Sequence, residues 1–361
     1  VVTTPIQVNL TATLIGNGDA AGGVHATLGG TVAPGVGGPG VLSTGDLKFA
    51  GGSTYEVNLN GTGAGQHDEL NVTGEVKLSP LSTLTASVGF ASIPGDEIVI
   101  IRNDEFDAIN GVFGGGNLLN FGGVKFTVDY GYDADGNGAF NDVALIRYGA
   151  QLAPDPCDPT KMALFVSATS GADTIKFIKV NGSNGTQVLI NGVDEGTFLF
   201  NGHLYVMGQN GDDIIDTSPL PANEVVIYGN TGNDRLTSGN VNSILIGGFG
   251  NDILDSGNGK DILIGGAGAD KLMGDNGADI LITGATTYDA VNAANRVKLC
   301  DLHDRWKLGH KPESLASLLN AATLISDTDV DTALGQAGKD YLILGAGDTS
   351  DAEKQETILI V

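Results

Sequence analysis

The sequence is poor in positive charge and in long apolar runs. Its 18 Lys and Arg residues stand against 43 Asp and Glu in 361 residues, which gives a formal net charge of -25. Such a surface repels phosphate backbones and anionic lipid headgroups, so we expect neither nucleic acid nor an anionic membrane as a partner. No apolar stretch approaches the about 18 residues that a membrane helix requires. Membrane insertion is therefore not expected.

Cysteine is nearly absent as well. Cys157 and Cys300 are the only two, and they fit neither a disulfide framework nor a CxxC motif. The sequence leaves open whether they form one disulfide or remain two buried thiols. The chain opens on Val1 and Val2, with neither Met nor a basic region before an apolar segment. This start predicts a processed or excised form.

The short motifs of common catalytic sites are also missing. HExxH, GxSxG and GxxxxGK followed by Ser or Thr do not occur. His303 and His310 flank Trp306 in a helical segment, where a packing or solvated role is favoured over acid–base work. We therefore predict a non-enzymatic protein. Paired carboxylates for glycoside cleavage stay open, because acids are numerous and solenoids can carry polysaccharide lyases.

Glycine is abundant, with 56 residues, about twice the usual share of roughly 7%. Because 41% of the residues are apolar, the chain can bury a core, and its length predicts at least two modules. Short runs of alternating apolar residues, such as Ile6, Val8 and Leu10, predict a β-rich domain over 1–150, either a β-solenoid or a β-sandwich. The Pro-rich stretch 151–162 predicts a linker.

A nine-residue repeat begins near Gly208, with units such as GGFGNDILD and GGAGADKLM. Asp occupies the sixth place, and an apolar residue, mostly Leu, follows two positions later. Ser243 interrupts the series, and 21 residues separate the first two acids, which corresponds to two repeats plus a three-residue insertion. The acids of the series are Asp213, Asp234, Asp252, Asp261, Asp270 and Asp279.

This spacing predicts calcium binding by a parallel β-roll over 163–285. Glycines permit tight turns that direct carbonyl oxygens inward, and Asp adds a carboxylate to a set of hard oxygen ligands. Two nonapeptides close one 18-residue turn, so acids 18 apart form a column in which neighbouring acids are about 4.8 Å apart. The predicted ligands are the six acids and the carbonyl groups of Gly229, Gly247, Gly248, Gly250, Gly265, Gly266 and Gly268.

Two further stretches are weaker candidates for calcium. A last repeat-like unit, GQAGKDYLI, adds Asp340 within a predicted cap over 286–361 that carries one or two helices. The stretch DADGNGAFND places Asp133, Asp135, Asn137 and Asp142 in an EF-hand-like loop, but the twelfth place is Ala144. Without the bidentate acid the EF-hand is excluded, and the alternatives are a β-loop calcium site or an Asx-rich hairpin turn.

The repeats resemble RTX (haemolysin-type) calcium-binding modules of secreted bacterial proteins. SATSGADTIKF, with Asp173 and Ile175 in the repeat's places, is similar to a leading unit in large exported planctomycete-type proteins. Pro39 to Gly74 is similar to the last coils of autotransporter-type β-helix passengers. The resemblance implies secretion, calcium-dependent folding and a surface or matrix role.

Together these observations predict a secreted, calcium-binding structural protein of a bacterial cell surface, extracellular matrix or filament. The alternatives are an adhesin or carbohydrate-binding module, and the calcium-dependent C-terminal part of an exported polysaccharide-degrading enzyme. Self-association is expected through the strand from Ile6 to Leu14, the apolar strand from Thr357 to Val361, or the solenoid ends.

Overall fold

A computed structural model describes residues 4–104, 107–134, 141–180, 185–220, 223–309, 315, 319–320, 322–351 and 357–360. The chain divides into two compact units, Val1–Tyr148 and Gly149–Val361. Strands dominate both units, and the described residues contain one α-helix, so the all-β prediction is confirmed. Within these ranges, no helix is both long and apolar enough to cross a bilayer.

The described residues of the first unit form sixteen strands, most of them three to six residues long. They are β1 (Ile6–Val8), β2 (Thr13–Gly16), β3 (Gly18–Ala20), β4 (Val24–Ala26), β5 (Thr31–Pro34), β6 (Val41–Thr44), β7 (Leu47–Phe49), β8 (Thr54–Leu59), β9 (Glu69–Val72), β10 (Val76–Leu78), β11 (Thr83–Val88), β12 (Glu97–Asn103), β13 (Ile109–Gly111), β14 (Leu118–Phe121), β15 (Val124–Tyr132) and β16 (Asp142–Arg147).

These strands form three sheets, with the orders β1-β4-β7-β10-β13, β11-β8-β5-β2 and β14-β15-β16-β12-β9-β6-β3, and the paired strands from β1 to β13 are parallel. Neighbouring strands in one sheet are one coil apart, because each strand pairs with the strand three places later in the chain. In this way β4 pairs with β7, with Val24 opposite Leu47. The inward residues form one apolar core in which Phe49, Tyr55 and Phe113 cluster. Of the two predicted architectures, the pairing is that of the solenoid, and antiparallel β14, β15 and β16 complete its third sheet.

The second unit contains the remaining strands and the helix. They are β17 (Gly149–Pro154), β18 (Met162–Ser167), β19 (Thr174–Lys179), β20 (Thr186–Ile190), β21 (Val193–Phe198), β22 (Leu204–Asn210), β23 (Ile214–Asp216), β24 (Val225–Thr231), β25 (Arg235–Thr237), β26 (Ser243–Phe249), β27 (Ile253–Asp255), β28 (Asn258–Gly259), β29 (Ile262–Ala267), β30 (Lys271–Met273), β31 (Asn276–Gly277), β32 (Ile280–Ile282), β33 (Ala285–Thr286), α1 (Ala293–Lys307), β34 (Leu324–Ile325), β35 (Thr332–Leu334), β36 (Ala337–Gly338), β37 (Tyr341–Leu344), β38 (Thr349–Ser350) and β39 (Thr357–Ile360).

Two nine-stranded sheets build the roll of the second unit. The first roll sheet has the order β17-β18-β22-β24-β26-β29-β32-β37-β39, and the second roll sheet has the order β21-β20-β19-β23-β25-β27-β30-β35-β38. Leu245 and Leu263 of the first sheet and Leu254 of the second lie in one fully buried core. The parallel β-roll is therefore confirmed.

The outer face of the first roll sheet is buried too. Ile246, Ile264 and Ile282 stand in register on this face, and none is more than 2% exposed. The helix α1 packs against this side, because Trp306 Nε1 donates a hydrogen bond to the Ala278 carbonyl group and the Arg296 guanidinium lies 5.4 Å from the centre of the Phe165 ring. Parallel strands with both faces covered read as continuous apolar runs.

The Pro-rich stretch 151–162 is not a free linker. Gln151 to Pro154 belong to β17, which pairs antiparallel with β18, and the turn between them is closed by a 3.0 Å hydrogen bond from the Asp155 N–H to the Lys161 carbonyl group. A disulfide joins Cys157 of this turn to Cys300 of α1, with 5.7 Å between the Cα atoms. The stretch is thus a hairpin turn of the second unit, because backbone pairing and the disulfide fix it there.

The predicted cap over 286–361 also needs correction. Leu281 of β32 pairs with Leu342 of β37, 61 residues later, whereas Leu245 pairs with Leu263, 18 residues later. The helix α1 therefore belongs to an insertion between two coils, and the roll resumes with β35 and β37. The nine-residue period of the sequence does not show that the roll continues after α1, because the insertion separates the two coils.

Candidate metal centre

The acids of the repeat form a continuous ladder along one side of the roll. Asp252 Oδ1 accepts a 2.7 Å hydrogen bond from the backbone N–H of Asp234, and Asp270 Oδ1 accepts one of 2.8 Å from the N–H of Asp252. The same contact repeats from coil to coil, so each acid fixes the backbone of the coil before it. This first column consists of Asp173, Asp213, Asp234, Asp252, Asp270, Asp331 and Asp348.

A second, shorter column runs along the other edge. Asp279 Oδ1 accepts a 2.9 Å hydrogen bond from the N–H of Asp261, and Asp340 Oδ1 accepts one of 2.9 Å from the N–H of Asp279. Ser243 heads this column, with its N–H and hydroxyl donating to Asp261 Oδ1. The structure thus brings the six predicted acids together in two columns and places Asp340 in the second.

In six of the column acids the second carboxylate oxygen is buried and has no protein donor. It is the Oδ2 atom that lacks a hydrogen-bond partner in Asp213, Asp234, Asp252, Asp270, Asp279 and Asp331, and the side chains are at most 3% exposed. A buried carboxylate without a partner is strongly unfavourable in its charged form. These oxygens therefore require either protons or a cation.

The glycines of the repeat keep open the space beside these oxygens. A Cβ atom on Gly247 would collide with Asp252 Oδ2 and with the carbonyl oxygen of Gly265 in the next coil. The same holds for Gly229 against Asp234 and Gly247, and for Gly265 against Asp270 and Thr283. Carboxylate and carbonyl oxygens thus converge on a pocket that only glycine permits. This all-oxygen donor set fits calcium.

Desolvation sets the ionisation of the acids. Burial raises the pKa of Asp234 to about 6, of Asp252 to about 7 and of Asp270 to about 8, although a backbone hydrogen bond to each lowers it. Burial likewise raises the pKa of Asp213 and of Asp279 to about 9, and neighbouring acids of the columns add to the increase. A divalent cation between coils would offset both the burial of the charged carboxylates and their mutual repulsion.

Sequence comparison agrees with this geometry. The family described as the RTX calcium-binding nonapeptide repeat, in four copies, matches residues 228–263, 256–285 and 323–350. The chain contains RTX calcium-binding repeats. No curated protein and no solved structure matches the chain, so the similarities to autotransporter-type passengers and to planctomycete-type proteins stay predictions.

The remaining glycines predicted from the RTX pattern lie one coil apart with positive φ. Gly248 and Gly266 have φ of 115° and 112°, and Gly250 and Gly268 have φ of 124° and 120°. A Cβ atom on Gly266 would collide with the carbonyl oxygen of Gly248 in the preceding coil. These four positions therefore need glycine for both its conformation and its close backbone approach.

Serines replace cation-binding groups at the start of the second column. Ser238 Oγ and Ser243 Oγ are 2.9 Å apart, and Ser256 Oγ donates a 3.1 Å hydrogen bond to the Gly274 carbonyl group. Ser256 occupies a glycine place of the repeat, and its hydroxyl also lowers the pKa of Asp261 against the larger effect of burial. Hydroxyl groups thus supply contacts at this end that a cation would make elsewhere.

The structure adds Asp331 and Asp348 to the first column, which the sequence did not single out. Asp331 Oδ1 accepts a 2.7 Å hydrogen bond from the N–H of Asp270, and Asp327 Oδ2 accepts one of 3.1 Å from the N–H of Gly268. The segment that contains Asp327 and Asp331, SDTDVD, lacks the glycines of an RTX unit. The usable signal is the alternation of acids just before the short apolar strand β35.

The EF-hand-like stretch is only partly covered by the described residues. Asp135 and Asn137 lie outside the described residues. Asp142 is buried in β16, and its two carboxylate oxygens accept 2.8 Å hydrogen bonds from the N–H groups of Asn103 and Ala134. A calcium site at Asp133, Asp135, Asn137 and Asp142 therefore stays a prediction.

Proposed function

We propose that this protein is an exported, non-enzymatic structural protein of a bacterial surface or matrix, and that its second unit completes its folding by binding several calcium ions. The observation that carries the proposal is the series of buried Oδ2 atoms without protein donors in Asp213, Asp234, Asp252 and Asp270, each beside a glycine and a carbonyl oxygen of the next coil. RTX repeats indicate calcium binding and are typical of exported proteins.

The energetics support calcium-dependent folding. Two carboxylates about 4.8 Å apart repel by roughly 3 kcal/mol at an effective dielectric constant near 20. Each calcium site would stabilise the folded state by about 2.7 kcal/mol when free calcium is one hundred times the dissociation constant. Several linked sites would therefore change the free energy of folding by more than the total stability of many domains.

Two features support a structural role. The buried acids of the second unit lie mainly in the two ladders, where Oδ1 is held by the backbone. The second feature is the presence of edge strands: β1 lies at one edge of its sheet, and β39 lies at one edge of the first roll sheet. Edge strands can add to a neighbouring chain, so we propose self-association through these strands.

Calcium counting tests the binding part of this proposal. Equilibrium dialysis in millimolar calcium should give several bound ions per chain, and Asp252→Asn should reduce the number by one or two. Asp212→Asn is the matched control, because Asp212 is exposed and its Oδ1 accepts from the N–H of Asn233, a contact that Asn can keep. A count below one ion per chain would refute the proposal.

Electron microscopy and sedimentation test the structural part. In millimolar calcium the full chain should form fibres or lattices, or at least oligomers, and deletion of the first fifteen residues should reduce association. Dispersed particles with unchanged monomeric sedimentation in both proteins would exclude self-association and favour an adhesin or an enzyme part.

A further inference from the structure

A cluster of unlike metal-ligating side chains lies at the hairpin end of the roll and includes none of the acids of the two columns. Asp155 and Cys157 belong to the turn between β17 and β18, and His203 immediately precedes β22. One oxygen of Asp155, the sulfur of Cys157 and one ring nitrogen of His203 all lie within 4.8 Å of one another. We call these three residues the thiol cluster.

His203 is oriented by carboxylates on both sides. Its Nδ1 is 2.7 Å from Asp155 Oδ2, and its Nε2 is 3.0 Å from Glu224 Oε2. Lys307 of α1 holds Glu224 in place through two contacts of 2.7 Å. A histidine whose far nitrogen is held by a carboxylate is the usual arrangement of a zinc-bound imidazole.

A second sulfur is close to the cluster. Cys300 is joined to Cys157 in the disulfide, and Tyr205 Oη lies 3.0 Å from Cys157 Sγ and 3.8 Å from Cys300 Sγ. Reduction by a dithiol or a phosphine would add two electrons and two protons and leave two thiols here. The site would then offer two sulfurs, one imidazole and one carboxylate, the donors that zinc prefers in tetrahedral sites.

We propose that the thiol cluster, with Cys300, binds one zinc ion when the Cys157–Cys300 disulfide is reduced. Zinc binding releases the protons of the two thiols to solvent, His203 binds through an unprotonated ring nitrogen, and the ion then ties the hairpin to α1 in place of the disulfide. This site is chemically distinct from the calcium columns, because nitrogen and sulfur donors disfavour calcium and favour zinc. The proposal does not depend on the proposed structural function.

Cobalt spectroscopy of the calcium-loaded full chain tests the site, with Co²⁺ as the probe of a thiolate-containing zinc site. After reduction by a phosphine, one equivalent of Co²⁺ in a tetrahedral thiolate site should give thiolate-to-metal charge-transfer absorption in the near ultraviolet and ligand-field bands in the visible, and Zn²⁺ should remove both. The oxidised chain should give neither signal. Equal signals before and after reduction, or none in the reduced chain, would overturn the proposal.

Variants assign the ligands. His203→Ala should weaken Zn²⁺ binding at least tenfold in competition with a chelating dye, and Glu224→Gln should weaken it 10- to 100-fold by releasing the imidazole. His25→Ala is the matched control, because His25 lies in β4 of the first unit, and it should change nothing. Unchanged affinity in His203→Ala would refute the site.

A further variant removes the need for a reductant. Cys300→Ala leaves Cys157 as a free thiol beside His203 and Asp155, so it should bind one Co²⁺ through this thiolate without any phosphine. Circular dichroism in calcium should first show that the roll is folded in this variant. A folded Cys300→Ala chain that binds no Co²⁺ would exclude Asp155, Cys157 and His203 as a zinc site.

Discussion

The two carboxylate oxygens of Asp213, Asp234, Asp252 and Asp270 in the first column perform different tasks. Oδ1 accepts the N–H of the preceding coil, as Asp252 does from Asp234, whereas Oδ2 is buried without a protein donor beside a glycine of its own repeat. Asn could keep the first contact and would remove the charge of the second. A single substitution can therefore separate backbone support from cation binding.

Asp252→Asn should have opposite effects with and without calcium. In a chelator it should leave the second unit as stable or make it more stable, because it removes a buried carboxylate whose pKa is raised to about 7 by burial. In saturating calcium it should destabilise the unit by about 2–3 kcal/mol through the loss of one site. Urea unfolding measures both effects, with Asp212→Asn as the control. Equal destabilisation in both media would indicate a purely structural role.

The raised pKa values also predict how stability depends on pH without calcium. A carboxyl group near 3.8 in the unfolded chain and at about 6 to 9 in the fold, as for Asp234 and Asp279, binds more protons when folded. Stability must then fall as pH rises from about 4 to about 9. Unfolding in a chelator should therefore require more urea at about pH 5 than at about pH 8. A metal-free unit that is more stable at about pH 8 would contradict this, and calcium should flatten the dependence.

At the scale of elements, the two roll sheets differ in their outer faces. Strands of the first roll sheet, such as Ile262-Leu263-Ile264, are apolar at all three positions and fully buried. Strands of the second roll sheet place a polar or charged residue beside the inward Leu, as Arg235 and Lys271 do, and both are exposed. The difference reflects what covers each sheet: α1 packs on the first.

This contrast predicts unequal effects for equal truncations. Ile264→Ala should destabilise the calcium-loaded second unit by about 2–5 kcal/mol, because it empties a buried position. Ile253→Ala, on the outer side of the second roll sheet and only partly buried, should have an effect below about 1 kcal/mol. Calorimetry in calcium measures both. Similar losses would mean that the outer face of the first sheet is not a packed core.

The same contrast shows what the sequence could and could not reveal. The period of nine predicts the roll and its acid columns, because each coil repeats one geometry and places Asp252 and Asp270 in equivalent positions. It does not reveal Asp331, since 61 residues separate this acid from its neighbour Asp270. The three-residue run of apolar side chains in β29 and β32 was a visible sign of a doubly covered sheet.

The Pro-rich hairpin shows a second limit of prediction from sequence. Three prolines in a polar stretch are typical of linkers, yet Asp155 and Cys157 anchor this stretch to residues far along the chain. Asp155 accepts from the N–H of His203, and Cys157 is joined to Cys300. Such contacts depend on how the roll brings distant coils together, and local composition carries no information about them.

At the scale of the whole molecule, the acids make folding of the second unit depend on cations. The formal charge of -25 opposes any compact state, and the two columns concentrate part of that charge inside the roll. In the part of the first unit that the structure describes, two of the buried acids, Asp68 and Asp142, accept backbone N–H groups at both carboxylate oxygens. The two units should therefore respond very differently to calcium.

Scanning calorimetry of the full chain, with calcium and with a chelator, tests this account most directly. Two transitions are expected in calcium. Chelation should lower or abolish the transition of the second unit and shift that of the first unit far less, which provides an internal reference. A melting profile that is the same in calcium and in chelator would contradict the central claim that the roll folds around calcium ions.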